Sequence, residues 1–261
     1  MEEFLFGLSE KEEKIKKKCE LFLGENFKNS KEKFMKLSII PTFLFYGIPG
    51  SGKTSLANKI YKLLREKYEI EKYYLNMESL LSSNFGESSQ NLMNFFENIK
   101  KEIKENKIYA FIIIDELDSF TLSRMSHDTE SIKRVLLTFN KIIDELVSND
   151  SIYNMLIIAT TNLENEIDFS VKRRFFFKED FNIFLEKNEF KKFFDELLKI
   201  CDLLENFPEE KKEIIYKEIY EDKKISLGVF KQEFAENYIK FLIQEKNNFF
   251  EKKEINYEKS R

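Results

Sequence analysis

The chain has no tryptophan, one histidine, two cysteines, three prolines and seven glycines in 261 residues. Each scarcity excludes something. Cys19 and Cys201 stand far apart in sequence on apolar helical positions, so they read as buried free thiols rather than as a disulfide or half of a metal site. His127 lies between Ser126 and Asp128 with no cysteine or second histidine at ligand spacing, which removes the usual basis for zinc. The longest apolar run, 108–114, falls far short of the roughly 20 residues a membrane-spanning helix requires. The N-terminus is dominated by Glu and Lys and carries no secretory signal pattern. A reducing, cytoplasmic setting without membrane attachment is expected.

Charge is also nearly balanced. Lys+Arg 43 against Asp+Glu 47 leaves a net charge of -4, which supplies no general pull toward nucleic acid or anionic lipid. Hydrophobic residues make up 42% of the chain, enough for a sizeable core.

Because glycine is scarce, its placement is informative. Three of the seven fall in Gly47-Ile48-Pro49-Gly50-Ser51-Gly52-Lys53-Thr54, after a strand-like run at 42–46 and before an amphipathic helix that opens at Ser55. Strand, glycine turn and helix form the setting of a phosphate-binding loop. A triphosphate needs converging N–H donors and the positive end of a helix, with no side chains in the way of the backbone. Gly47, Pro49, Gly50, Ser51, Gly52, Lys53, Thr54 and Ser55 are thus the candidate residues for binding a nucleoside triphosphate. Lys53 reaches the β and γ phosphates as a point charge, and the Thr54 hydroxyl becomes a ligand of octahedral Mg²⁺.

Strand-like runs recur at 43–46, 72–75, 109–114, 155–160 and 174–178, separated by helical stripes such as Leu56, Ile60, Leu63 and Leu64, or Ile132, Val135, Phe139, Ile143 and Leu146. Ser9 with Glu12 makes a capping box for an N-terminal helix bearing Ile15, Cys19, Phe22 and Leu23. Beyond about residue 180 the pattern is entirely helical. The expected architecture is α/β, a three-layer P-loop sandwich on a parallel five-stranded sheet followed by a small helical lid. The expected segments are 1–35 (N-terminal helical), 36–180 (core) and 181–261 (lid).

The run at 109–114 ends in Asp115-Glu116-Leu117-Asp118. In a parallel sheet ligands lie beyond the carboxyl ends of the strands, so these carboxylates face the same crevice as Lys53 and Thr54. Asp115 suits Mg²⁺ held through water, and Glu116 suits orienting an attacking water. An Asp-Glu pair after a strand is also ordinary loop chemistry. Paired with the phosphate loop, it points to hydrolysis rather than simple binding.

With these motifs the sequence resembles the AAA+ ATPases, and within them the AAA subgroup of protein remodellers, in a compact form without a separate N-terminal domain. The likeness extends to 119–124, Glu130, Lys133-Arg134-Val135, Asp144-Glu145-Leu146, Ile158-Ala159-Thr160-Thr161-Asn162-Leu163, Ile167-Asp168 and Arg173-Arg174-Phe175. The resemblance implies that Asn162 sits near the γ phosphate, although an Asn after a strand also reads as a turn residue. It implies that Arg173 and Arg174, two of six arginines, complete a neighbouring subunit's site in a homo-oligomeric ring, a hexamer. A basic strand end making surface salt bridges remains the alternative for one of the pair. Asn84-Phe85-Gly86 resembles a loop that grips a client protein in the central pore, with Asn84 where the family has an aromatic. The arginine block lacks the family's Pro-Gly insertion, and Ser226-Leu227-Gly228 matches its second sensor only loosely. The competing assignments are a nucleic-acid-handling AAA+ ATPase of clamp-loader or transposition-regulator type and a small-molecule kinase. Nucleic acid is disfavoured by the acidic charge, and a kinase gives no reason for Asp115-Glu116, Asn162 and Arg173-Arg174 to occur in this order.

Overall fold

The computed structural model describes residues 5–81, 87–119 and 129–258. The chain forms two compact units, Met1–Ile48 with Gly52–Asn182 and Pro49–Ser51 with Ile183–Arg261.

The first unit is built on five parallel strands, β1 (Thr42–Tyr46), β2 (Ile70–Asn76), β3 (Tyr109–Asp115), β4 (Met155–Thr161) and β5 (Phe177–Asp180), in the order β2-β3-β4-β1-β5. Every residue of β4 is buried, as are Ala110, Phe111, Ile112, Ile113 and Ile114 of β3. Such unbroken burial requires cover on both faces, which only helical crossovers supply. Helix α1 (Ser9–Glu20) buries Ile15 and Cys19, and α2 (Gly24–Lys36) follows it. Helix α3 (Lys53–Arg65) buries Leu56, Ala57, Ile60 and Leu64 and sets Tyr61 against Phe111 with ring centroids 5.6 Å apart. The short α4 (Met77–Leu81) leads to α5 (Glu87–Asn106), which buries Leu92, Phe96 and Ile99. Helix α6 (Thr129–Ser148) buries Val135, Phe139, Ile143 and Leu146, the stripe expected from sequence. Each side chain so enclosed contributes about 1.5–3 kcal/mol of transfer free energy, which offsets the ordering of the chain.

Three local expectations are corrected. Ser9 is the first residue of α1 rather than its cap; Leu8 occupies the cap position without a side-chain bond. The fifth strand begins at Phe177, not at residue 174. The backbone from Phe169 turns as a short helix, α7 (Phe169–Lys172), and the Arg174 and Phe175 N–H groups donate to Val171 O and Lys172 O, so neither is available to a ladder. Cys201 is half-exposed, because it caps the end of the helix that the sequence stripe placed it in, whereas Cys19 is fully enclosed and burial pushes its thiol pKa up. The two N-terminal helices belong to the same compact unit as the sheet: Lys59 pairs with Glu12 at 2.9 Å, Lys67 with Glu20 at 3.2 Å, and Lys18 with Glu179 of β5.

The second unit is helical. Helix α8 (Lys187–Ile200) turns Phe190, Phe193, Phe194, Leu197 and Leu198 inward. Helix α9 (Glu209–Ile215) runs into a π turn at Tyr216–Glu221, and α10 (Leu227–Glu258) follows. An aromatic cluster holds these together, with Phe190 stacked on Tyr220 at 4.5 Å and edge-on to Phe230 at 5.0 Å. The Leu185 N–H donates to the Tyr220 hydroxyl at 2.8 Å, so the π turn also satisfies the chain leading into α8.

Candidate functional site

Lys53 opens α3, and its side chain folds back along the glycine loop. The ammonium donates to Gly47 O at 2.7 Å, Ile48 O at 3.0 Å and Asn162 Oδ1 at 2.9 Å. Burial brings its pKa down to about 8, opposed by the negative charges of Asp118 and Asp115. The loop must approach its surroundings closely at Gly47. There φ is 147°, and a Cβ would stand 2.8 Å from the Phe181 carbonyl carbon and 3.0 Å from Asn182 N. At Gly52, the N-cap of α3, φ is 89° and a Cβ would meet Leu8 Cδ1 at 2.8 Å. Only glycine tolerates both the dihedral angle and the crowding.

The carboxylates sit at the end of β3. Asp115 Oδ1 accepts from the hydroxyl of Thr54 at 3.1 Å and from that of Thr160, while its Oδ2 accepts from Tyr74 at 2.7 Å. Glu116 Oε2 accepts from the Asn76 amide at 2.9 Å. The Glu116 backbone is left-handed, with φ at 58°, a conformation that costs energy for a residue with a Cβ and clusters at functional sites. It is held there by Leu117 N–H donating to Thr160 O at 2.9 Å. Asn162 follows β4, and its own N–H donates to Asp118 Oδ1 at 3.2 Å. Residues from the ends of β1, β3 and β4 are thereby brought together, and the edge strand β2 adds two that the sequence did not single out, Tyr74 and Asn76. Their signal was available in principle: they stand two apart on one strand face, and Asn76 is in register with Asp115. Asn182, whose Oδ1 accepts from Ile48 N–H at 2.9 Å, had none.

The two arginines part company. Arg174 is 8% exposed; its Nε and Nη2 reach Asp144 Oδ1 and Oδ2 at 3.0 and 2.5 Å, and Nη1 donates to Ser170 O. Asp168 caps α7 by accepting from Ser170 N–H at 2.8 Å, and Asn140 Nδ2 donates to Ser170 Oγ at 2.9 Å, so α7 is pinned to α6 at several points. Arg173 is exposed and its guanidinium has no partner among the described residues. Four residues before it, on the same helical face, Phe169 is 79% exposed.

Asn84, Phe85 and Gly86, like His127, lie outside the described residues. Among the described residues no group of three or more His, Cys, Asp or Glu could hold a metal by itself, and no helix is long and apolar enough to cross a membrane. Thr54 Oγ beside Asp115 is a hard, all-oxygen pair, which fits Mg²⁺ that keeps most of its shell as water and phosphate oxygens.

A parallel sheet whose first strand runs through a glycine loop into a helix, with an acidic pair on a neighbouring strand end, defines a P-loop nucleotide-binding domain. The family model for the ATPase family associated with various cellular activities (AAA) matches residues 43–183, and the chain belongs to that family. It is 32% identical over 173 residues to a putative cell division cycle ATPase of Plasmodium falciparum, covering 66% of this chain and 13% of that one. It is 30% identical over 169 residues to the proteasome-activating nucleotidase of Methanosarcina mazei, covering 64% of this chain and 37% of that one. The chain thus spans well under half the length of these relatives. Among solved structures, the HORMA:CdnC:Trip13 complex of E. coli MS115-1 contains a similar fold, with TM-score 0.64 and 20% identity over 82% of this chain and 73% of that one.

Proposed function

We propose that this chain binds ATP with Mg²⁺, hydrolyses it, and uses the hydrolysis in a homo-oligomeric ring, a hexamer, to remodel a client protein in the cytoplasm. The observation that carries this is the convergence of Lys53, Asn162, Thr54, Asp115 and Glu116 at the carboxyl ends of the strands, with the exposed Arg173 guanidinium without a partner among the described residues.

In this reading the loop amides and Lys53 hold the β and γ phosphates, with the Lys53–Asn162 bond orienting the amide toward the same region. Thr54 and Asp115 would hold Mg²⁺, which neutralises charge on the phosphate oxygens when bound. The Glu116 carboxylate accepts a proton bond from the attacking water and aims it in line, while Asn76 fixes the carboxylate from the side. Arg174 is spent inside its own chain. Arg173 is therefore the residue that reaches a neighbour's γ phosphate and stabilises the charge that develops there. A remodelling role is supported by the relatives' names, a proteasome-activating nucleotidase among them, over nucleic-acid handling. Client gripping falls to Asn84, Phe85 and Gly86, and nucleotide-dependent movement to the helical segment 181–261 that follows the 36–180 core.

Subunit mixing tests the shared site. Glu116→Gln and Arg173→Ala proteins, each inactive alone, are expected to recover ATPase activity when mixed, because some interfaces then pair an intact Glu116 with an intact Arg173. Activity per subunit in the wild type should also rise with protein concentration. Mixtures that stay inactive, with wild-type turnover independent of concentration, would remove the ring.

A further inference from the structure

Strand β2 is an edge of the sheet, yet one of its faces is occupied by work directed inward. Three alternate residues point the same way. Lys72 Nζ donates to Asn58 Oδ1 at 2.9 Å, and Asn58 in turn donates to Thr54 O at 2.8 Å. Tyr74 reaches Asp115, and Asn76 reaches Glu116. On the opposite face Tyr73 donates to Glu102 at 2.7 Å and touches none of these groups.

Resting on the reading of Asp115 as an Mg²⁺-holding carboxylate, we propose that Tyr74 is a positioning residue that sets the affinity of the site for Mg²⁺. The geometry divides the labour of the carboxylate. Both threonine hydroxyls, Thr54 and Thr160, converge on Oδ1, and a threonine that gives its oxygen lone pair to a cation can keep donating its proton there. Oδ2 accepts from Tyr74 at 2.7 Å, so the carboxylate that would hold Mg²⁺ through water is fixed from both of its oxygens. Without that hydroxyl the carboxylate is held from Oδ1 alone and can turn further about its Cβ–Cγ bond, so it would hold the cation less firmly. Tyr74 is 49% exposed, so its ring contributes little to the core and the hydroxyl can be removed without a cavity.

The experiment compares Tyr74→Phe, Tyr73→Phe and Asp115→Asn in calorimetric titrations of ADP at several Mg²⁺ concentrations, with Mn²⁺ binding followed by electron paramagnetic resonance as a direct probe. Tyr74→Phe should weaken metal binding about tenfold, the usual effect of removing a bond to a metal-holding carboxylate, while ADP affinity without metal stays unchanged. Tyr73→Phe should alter neither, which separates aim at Asp115 from a general loosening of the edge strand. The proposal falls if Tyr74→Phe binds Mn²⁺ like wild type while Asp115→Asn does not, or if Tyr73→Phe has the same effect as Tyr74→Phe. If Asp115→Asn itself leaves the metal dependence unaltered, the assignment of Asp115 is wrong and the proposal falls with it. Should Tyr74→Phe fail to fold, Tyr74→Leu gives the same comparison.

Discussion

Replacing each arginine of the Arg173-Arg174 pair by alanine should produce opposite phenotypes. Arg174 is enclosed, donates two bonds to Asp144 at 3.0 and 2.5 Å and a third to Ser170 O, while the Asp144 side chain is 63% exposed. Its removal leaves that carboxylate solvated rather than stranded, so the loss falls below the about 3–5 kcal/mol of a broken buried pair. Charge-assisted bonds of this kind contribute about 1.5–3 kcal/mol, and the Ser170 carbonyl loses a partner as well, so about 2–3 kcal/mol is expected. At about 2–4 °C per kcal/mol for a chain of this size, the melting transition should drop by about 5–10 °C. Arg173 has no partner among the described residues, so Arg173→Ala should stay within about 0.5 kcal/mol of wild type. Its cost appears elsewhere, as a fall of about 10³-fold or more in ATP turnover by the assembled protein. Differential scanning fluorimetry and a phosphate-release assay on the same preparations read both quantities. An Arg174→Ala protein that melts with wild type, or an Arg173→Ala protein that hydrolyses ATP normally, would refute the division of roles.

Glu116→Gln should bind ATP as wild type does and turn it over about 10²–10⁴-fold more slowly, and normal turnover would remove Glu116 from water activation. Lys53 has a pKa of about 8, below its ordinary 10.5, so the folded protein releases this proton first as pH rises. The stability cost of keeping it charged in the fold is full below 8 and disappears between 8 and 10.5, while phosphate affinity falls over the same rise. ATP binding near pH 8 should therefore take up about half a proton, seen as buffer-dependent heat in calorimetry and absent in Lys53→Met; identical heats across buffers would contradict it. Gly47→Ala forces a Cβ to within 2.8 Å of the Phe181 carbonyl carbon and should lower the denaturant midpoint by an amount worth about 2 kcal/mol or more, an expectation that an unchanged midpoint would defeat.

The sheet was legible because its strands are unbroken apolar runs and its helices carry one apolar stripe each, two signals that survive without tertiary context. Four strands lie where the pattern put them. The fifth moved because Arg174 and Phe175 look like the start of a strand by composition, while their N–H groups are consumed by the turns after α7. The same locality limited the capping box: Ser9 and Glu12 have the right spacing, but Glu12 is drawn to Lys59 of α3, a contact no local window contains. At the site, Lys53, Thr54, Asp115 and Glu116 announce themselves by sequence spacing, and the structure brings Asn162 to Lys53 as well. Tyr74, Asn76 and Asn182 act through strand register and loop approach, and register is a property of two segments at once. The sequence also left Arg173 and Arg174 equivalent, since nothing in a doublet tells which side chain turns inward.

That inward turn bears on how the site can respond to nucleotide. Lys53 follows β1, Asp115 and Glu116 close β3, Asn162 follows β4, and Tyr74 and Asn76 belong to β2, so four of the five strands contribute to three neighbouring hydrogen-bonded groups, Lys53–Asn162, Thr54–Asp115–Tyr74 and Glu116–Asn76. Asp118 joins β3 to β4 through the Asn162 N–H, and Thr160 joins them again through Asp115. A phosphate that draws Lys53 away from Gly47 O and Asn162 Oδ1 would release the Asn162 amide at the end of β4, whose backbone N–H is bonded to Asp118 after β3. Strands buried as β3 and β4 are cannot yield gradually, because close-packed interiors shift between discrete arrangements rather than deform. Less enclosed are Tyr74 and Asn76 on the edge strand, and α7 with Arg173. Of these, α7 is held to α6 by the Arg174–Asp144 pair and by Asn140. Loosening that anchor with Arg174→Lys, which keeps charge but not the two-pronged bond, should weaken the dependence of turnover on subunit mixing more than it weakens nucleotide binding. An equal loss in both would mean that α7 supports the fold of the site and not its communication with a neighbour.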